Sequence, residues 1–204
     1  YSMLFHTDQL TPNQVYHTMI QTMIPRPIAW VLTENANHSL NLAPFSYFSP
    51  VSSDPALIMI SIGKKPDGSI KDTRQNILSR PHFVVHIASA DLAEAVNASS
   101  ATLPANVSEV EKSQLETEDF GFTLPRLKDC PVAIACELYD VKPIGDLPQL
   151  LVFGRVKTIY VDDKAVVEQG GRQKIDASLI NPLGRLGGDE YWVGGDVLTI
   201  KRPA

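Results

Sequence analysis

Two segments late in the chain, residues 132–141 and 150–161, are long and rich in β-branched side chains, and Lys142-Pro143-Ile144-Gly145-Asp146 joins them. Such segments read as extended strands. Residues 28–33, 40–43, 56–62, 82–88 and 197–200 read the same way, so strands dominate. They do not alternate regularly with helices, and no Gly-x-Gly-x-x-Gly follows a strand, which argues against a doubly wound parallel sheet. The expected fold is mainly β: an antiparallel barrel with peripheral α-helices, whose closure hides most strand edges. At 204 residues, with 44% of them apolar, the chain has the length and the core material for a single domain over residues 1–204.

The helical signals are local. Thr11-Pro12 places a capping hydroxyl before a proline at the first helical position, and Val15, Met19, Ile20 and Met23 recur at helical spacing until Pro25. Asp72 heads a second helix over residues 72–78 as its N-cap, and residues 92–96 form a third. Ser108-Glu109-Val110-Glu111 has the form of a capping box, so residues 97–124 read as a helical or irregular insertion. The polar residues 34–39 read as a hairpin turn. Pro44 and Pro50 bracket Phe45-Ser46-Tyr47-Phe48-Ser49, and because proline cannot donate to a ladder this stretch is expected to leave the sheet as a shaped loop.

A net charge of −5 and the lack of any Lys/Arg-rich run disfavour nucleic acid as a partner. No apolar run approaches the roughly 20 residues of a membrane helix, and no basic region followed by an apolar stretch opens the chain, so a cytoplasmic protein is expected. Three Asn-x-Ser matches, at Asn37, Asn97 and Asn106, are discounted for the same reason. Cys130 and Cys136 fit neither a zinc ribbon nor a disulfide scaffold and read as small core residues. His82 and His86 share one strand face but lack the H-E-x-x-H pattern, so hydrogen-bonded histidines are favoured over metal ligands. No Gly-x-Ser-x-Gly elbow supports a triad hydrolase. The acidic run Glu109, Glu111, Glu116, Glu118, Asp119 reads as a solvated helix face.

Two stretches could carry chemistry. In Gly63-Lys64-Lys65-Pro66-Asp67-Gly68-Ser69-Ile70-Lys71-Asp72-Thr73, glycines free the backbone and Lys71 with Thr73 stands at a helix start, where exposed N–H groups favour an anion. Ser69 and Ile70 replace the Lys and Ser/Thr of a P-loop, which argues against nucleotide triphosphate hydrolysis. The same stretch also reads as a charged hairpin leading into a capped helix. In Asn41-Leu42-Ala43-Pro44-Phe45-Ser46-Tyr47-Phe48, a proline-shaped run with small residues among aromatics could form a flat slot for a heterocycle. Plain core packing is the alternative.

Taken in order along the chain, Arg26-Pro27-Ile28-Ala29-Trp30-Val31, Asn41 to Phe48, Asp54-Pro55 and Lys71-Asp72-Thr73 with Asn76 resemble the flavin reductase-like, FMN-binding split-barrel family, and within it the flavoredoxin-like branch. Glu109, Cys136-Glu137-Leu138, Phe153-Gly154-Arg155-Val156 and Leu183-Gly184-Arg185-Leu186-Gly187-Gly188 with Tyr191 extend the likeness over nearly the whole chain. The resemblance implies a six-stranded Greek-key split barrel and a homodimer, with one FMN per subunit in a cleft that both subunits line. It places the flavin ring against Ala43, Pro44, Phe45, Ser46, Tyr47 and Phe48, with Arg26 and Asn41 lining the cleft and Ser61-Ile62-Gly63 beneath the ribityl chain. Lys71, Asp72 and Thr73 would hold the phosphate with Asn76 nearby, and Asn97 and Arg185 would reach the cofactor from the partner chain. Residues 184–188 read equally as a tight loop or a cofactor flap. The implied activity is hydride transfer from NADH or NADPH through FMN to an acceptor. A non-catalytic FMN carrier or sensor on the same barrel is the alternative.

Overall fold

The computed structural model describes residues 3–146, 149–201 and 203. Its helices are α1 (Pro12–Thr22), α2 (Asp72–Ser79), α3 (Ala93–Ala98), α4 (Glu109–Lys112) and α5 (Ala177–Ile180). The strands are β1 (Arg26–Pro27), β2 (Ala29–Glu34), β3 (Leu40–Phe45), β4 (Phe48–Ser53), β5 (Ala56–Ile62), β6 (His82–Ile87), β7 (Thr117–Glu118), β8 (Arg126–Leu127), β9 (Val132–Ile144), β10 (Gln149–Val161), β11 (Val166–Gln169), β12 (Arg172–Ile175), β13 (Gly184–Arg185) and β14 (Tyr191–Trp192). Among the described residues no helix is long and apolar enough to cross a membrane.

Seven of these strands form one antiparallel sheet in the order β3-β2-β6-β9-β10-β5-β4. Its two edge strands, β3 and β4, are neighbours in sequence with only Ser46 and Tyr47 between them. Three Cα steps reach at most roughly 11 Å, so the edges are drawn together and the sheet must curl closed. No ladder joins β3 to β4 among the described residues, and the barrel is therefore split at this corner. Counted as one bent strand, β3–β4 makes the barrel six-stranded. The chain runs from β2 through β3, β4 and β5 as a meander, crosses by α2 to set β6 on the far side of β2, and returns through β9 and β10 to β5, a Greek-key path.

Both faces of β2 are buried, and its side chains alternate between two cores. Ala29 and Val31 turn into the lumen with Phe45, Ile60, Ile62, Phe83, Val85, Cys136 and Val152. Trp30 and Leu32 pack outward against Val84 and Ala133, under cover of Val96 from α3, Val110 and Leu124 from the insertion and Leu183 from the later chain. Cys130 and Cys136 lie in different cores, and burial pushes both thiols up to about 12, so they serve as small packing residues and are not a redox pair.

Several expectations need correcting. Pro44 lies inside β3 and Pro50 inside β4, so only Ser46 and Tyr47 leave the sheet. The reason is parity on an edge strand. Leu42, two residues before Pro44, points its N–H away from β2 and onto Glu109 at 2.9 Å, so Pro44 lacks a donor only on the side that needs none. Pro50 sits on the opposite edge, beside the register shift between Pro50 and Ser52. Pro143 extends β9 into the expected turn, where β9 has run past the end of β6 and only β10 flanks it. Residues 197–200 form no strand; Leu198 and Ile200 are exposed and no neighbouring strand offers a ladder. The N-cap of α2 is Lys71, with Asp72 as the first helical residue. The acidic run does not share one helix face, because α4 ends at Lys112 and Glu116 and Glu118 pair with Lys128 and Arg126 around β7 and β8.

Two consequences are measurable. A Cβ at Gly154 would lie 2.5 Å from Phe83 Cζ, so Gly154→Ala should cost about 1–3 kcal/mol of stability in urea unfolding, and Phe83→Leu should recover part of that loss. His86 is buried, its Nδ1 faces the Trp30 carbonyl at 3.1 Å and its Nε2 accepts the Leu127 N–H at 2.9 Å, which fixes a neutral ring. Burial lowers its pKa to about 4, so the unfolded chain binds the extra proton first as pH falls below about 6.5. Stability from this group should be intact at pH 7 and about 3 kcal/mol lower near pH 4, with a flatter profile in His86→Gln.

Candidate functional site

The split between β3 and β4 gathers the candidate residues into two groups. At one end, Arg26 of β1 is 8% exposed and spends its guanidinium on four acceptors. Nη1 donates to the Ile20 carbonyl and, at 3.0 Å, to the Met23 carbonyl; Nη2 donates to the Leu186 carbonyl at 2.8 Å; Nε donates to Ser46 Oγ at 3.3 Å. A cation at the C-terminus of α1 complements the helix dipole and fills its open carbonyls. One side chain thus ties α1, the split corner and the β13–β14 turn together. Burial lowers the Arg26 pKa, and neighbouring Arg185 adds to the shift while Tyr47 opposes it. Burial likewise raises the Tyr47 pKa, with Tyr16 adding to it.

Ser61 lies beside this corner, donating its N–H to the Tyr47 carbonyl at 2.9 Å. Ile62 is fully buried in the lumen core, and Phe45 nearly so. Ala43 and Phe48 are partly buried against the same core. A Cβ on Gly63 would stand 3.1 Å from the Gln149 amide, which marks a close passage of backbone and side chain. Ser46 and Tyr47 lie outside both ladders, and their N–H groups find no protein acceptor among the described residues.

At the other end is the start of α2. Lys71 caps this helix with its backbone only, so no side chain covers the N–H groups of the first turn. Its ammonium stands 5.8 Å from the centroid of the Phe45 ring and makes no ion pair or hydrogen bond among the described residues. Burial pushes its pKa below the usual lysine value, and Lys65 adds to that shift. The adjacent carboxylate of Asp72 is already engaged by Lys65 at 2.8 Å. A half-buried cation without a counter-ion, next to an uncapped helix N-terminus, suits a phosphate. Asp72 can add only its backbone N–H to such a ligand, since its carboxylate would repel it.

Behind Lys71 runs a buried amide and hydroxyl network. Asn41 Nδ2 reaches Thr33 Oγ1 at 3.2 Å and Thr73 Oγ1 at 3.0 Å; Asn76 Nδ2 reaches Thr33 Oγ1 at 3.1 Å and Asn35 Oδ1 at 2.9 Å. Arg80 closes it with bonds to Asn76 Oδ1 at 3.2 Å and the Glu34 carbonyl at 2.9 Å. Asn41, Thr73 and Asn76 are thereby engaged in pinning α2 to the β2–β3 hairpin. Thr33 and Asn35 escape a reading by strand composition, since they follow an apolar run and only the packing of α2 buries them.

Glu109 also departs from its expected place. Its carboxylate takes the outward N–H of Leu42 at 2.9 Å while Ser108 Oγ donates to the Leu40 carbonyl at 2.6 Å, so the insertion seals the open edge of β3. Burial raises the Glu109 pKa, and the bond from Leu42 works against the rise.

Within one chain Arg185 pairs with Arg26 across β1 and β13, lies 4.6 Å from the Tyr191 ring centroid and donates to the Glu190 carbonyl at 2.8 Å. Asn97 accepts from the Tyr191 hydroxyl at 3.2 Å. No hydrogen bond or ion pair links Asn97 or Arg185 to Lys71 among the described residues. A Cβ on Gly187 would press 2.5 Å from Gln21 Cγ, and Leu186 bonds to Glu190 across the turn at 3.1 Å, so residues 184–188 form a tight loop packed on α1.

The chain matches the family described as flavin reductase like domain over residues 21–175. An uncharacterised protein of Halalkalibacterium halodurans is 36% identical over 98% of this chain and 97% of its own length. Among solved structures, component B of nitrilotriacetate monooxygenase from Bacillus cereus superposes with a TM-score of 0.88 at 32% identity, covering 98% of this chain and 99% of that one. The 2-nitrobenzoate 2-nitroreductase of Pseudomonas fluorescens superposes with a TM-score of 0.86 at 29% identity, covering 98% and 96%.

Arg26→Met should leave four acceptors without their donor and lower stability by about 2–4 kcal/mol, with α1 loosened first. Hydrogen exchange that leaves the α1 amides as protected as before would contradict the clamp.

Proposed function

Because the chain belongs to the flavin reductase-like family, we propose that it is an FMN-dependent oxidoreductase in which a nicotinamide donor, NADH or NADPH, supplies the electrons and a second substrate takes them. The observation that carries this reading is the uncompensated Lys71 at the uncapped start of α2, one Phe45 ring away from the free N–H groups at Ser46 and Tyr47. An elongated ligand with an anionic tail and a flat head that accepts hydrogen bonds matches both ends. FMN is such a molecule, and when bound its ring supplies hydride acceptance and donation.

The protein's own part is positioning. Lys71 and the first-turn amides hold the phosphate, and the Thr33–Asn41–Thr73–Asn76 network keeps that helix end in place. The amides of Ser46 and Tyr47 would serve as donors to the polar edge of such a ring, and the Arg26 guanidinium behind Ser46 would add positive charge on that side. The relatives named as a monooxygenase component and a nitroreductase support redox chemistry of this class. We further propose a homodimer: Met3 and Leu4 at one end and Leu198 and Ile200 at the other are 76–80% exposed, apolar surface that a second subunit would cover.

Lys71→Ala combined with Thr73→Ala should weaken FMN at least about tenfold by fluorescence titration while changing riboflavin affinity little. Undiminished FMN binding would place the cofactor elsewhere. In stopped-flow mixing, bleaching of the FMN-loaded protein by NADH or NADPH is expected; flavin that stays oxidised with both removes this donor class.

A further inference from the structure

Arg74, in the first turn of α2, buries its Nε and Nη1 atoms without an acceptor for either among the described residues. It forms no ion pair there and lies over no aromatic ring. Other buried or half-buried arginines are accounted for, Arg26 by its four acceptors. Arg80, on the end of the same helix, donates to Glu34 and Asn76. Arg126 also has a bare Nε, yet its guanidinium lies 3.7 Å from the Tyr160 ring centroid, pairs with Glu118 and donates to the Leu127 and Lys128 carbonyls. Buried guanidinium donors are seldom left unmet, because each loses its water without a replacement.

The nearby carboxylates do not supply one. Asp72 is held by Lys65, and Glu34 faces Arg80 and His38. Lys71 and Arg74 occupy the N-cap and third helical positions of α2, and side chains at the start of a helix lean back over its first turn. Here both are cations, and neither has a counter-ion among the described residues. They bracket amides that no side chain caps. A terminal phosphate monoester meets all of these demands together: it carries nearly two negative charges, and its three outer oxygens can take a guanidinium fork, an ammonium and backbone N–H groups at once.

Resting on the reading of this helix start as the cofactor's phosphate site, we propose that Arg74 is a direct ligand of that phosphate and makes the site selective for a phosphorylated flavin over riboflavin. Its unmet donors are then the cost of keeping the apo site ready for the anion.

The test uses the full-length apoprotein in three forms: wild type, Arg74→Gln and Lys71→Ala. FMN and riboflavin are titrated separately and followed by flavin fluorescence, and thermal melting is recorded with and without FMN. The expected result for Arg74→Gln is a loss of about 10- to 100-fold in FMN affinity with riboflavin unchanged within about twofold. Its apo melting temperature should equal or exceed that of wild type, since no bond is lost, while the rise on adding FMN shrinks. Arg74→Lys, which keeps the charge but not the fork, should fall between. If Arg74→Gln binds FMN as wild type does while Lys71→Ala is weakened, the site stands and Arg74 has no part in it. If neither variant is weakened, the phosphate lies elsewhere and both readings fall. An apo Arg74→Gln that melts well below wild type assigns the side chain to the scaffold and overturns the proposal.

Discussion

Ser46 and Tyr47 are the whole connection between the two outermost strands of a seven-stranded sheet, and this short tether governs the rest of the molecule. Strand edges so close must curve toward each other, yet β3 and β4 do not pair, so closure is completed by covalent chain where hydrogen bonds would otherwise run. The corner therefore keeps backbone donors that belong to no ladder. Along β3 the remaining open edge is answered by Ser108 and Glu109, and at Pro44 no donor exists to be answered. Among the described residues, unpaired donors remain at the split and in the first turn of α2.

The cations around that split show how similar side chains take opposite roles. Arg26 is saturated by four acceptors drawn from three segments and works as a rivet. Lys71 and Arg74 stand on a helix pinned from behind by Asn41, Thr73 and Asn76, and neither has a counter-ion among the described residues. Stability is concentrated in the first arrangement and ligand affinity in the second. A site of this kind needs both, because a donor can wait without an acceptor only when its backbone is held firmly enough that it cannot relax onto another group.

The strands were legible from composition because a barrel covered on its outer face by an insertion buries both sides of β2, and such strands read as unbroken apolar runs. Lys71 and Thr73 could be singled out because a helix start beside glycines is a local pattern. Residues 44–50 and 197–200 were misjudged for one shared reason. Whether a segment joins a sheet depends on which side of it a neighbour lies: Pro44 was read as a breaker when its bare side faces no strand of the sheet, and residues 197–200 were read as a strand although no strand lies beside them. Glu109 was hidden in an acidic run because nothing local distinguishes a carboxylate that caps a strand edge from one in water.

By itself the amino-acid order determined the elements: β-branched apolar runs for strands, a capping hydroxyl before a proline for α1, and cations and glycines ahead of α2, all of which follow from interactions within a few residues. Only the tertiary structure decided which polar groups are spent and which remain available. That choice is made by contacts between segments far apart in the chain, such as Arg26 with Leu186 and Leu42 with Glu109, and the loss of water that gives those contacts their weight exists only once the barrel has closed.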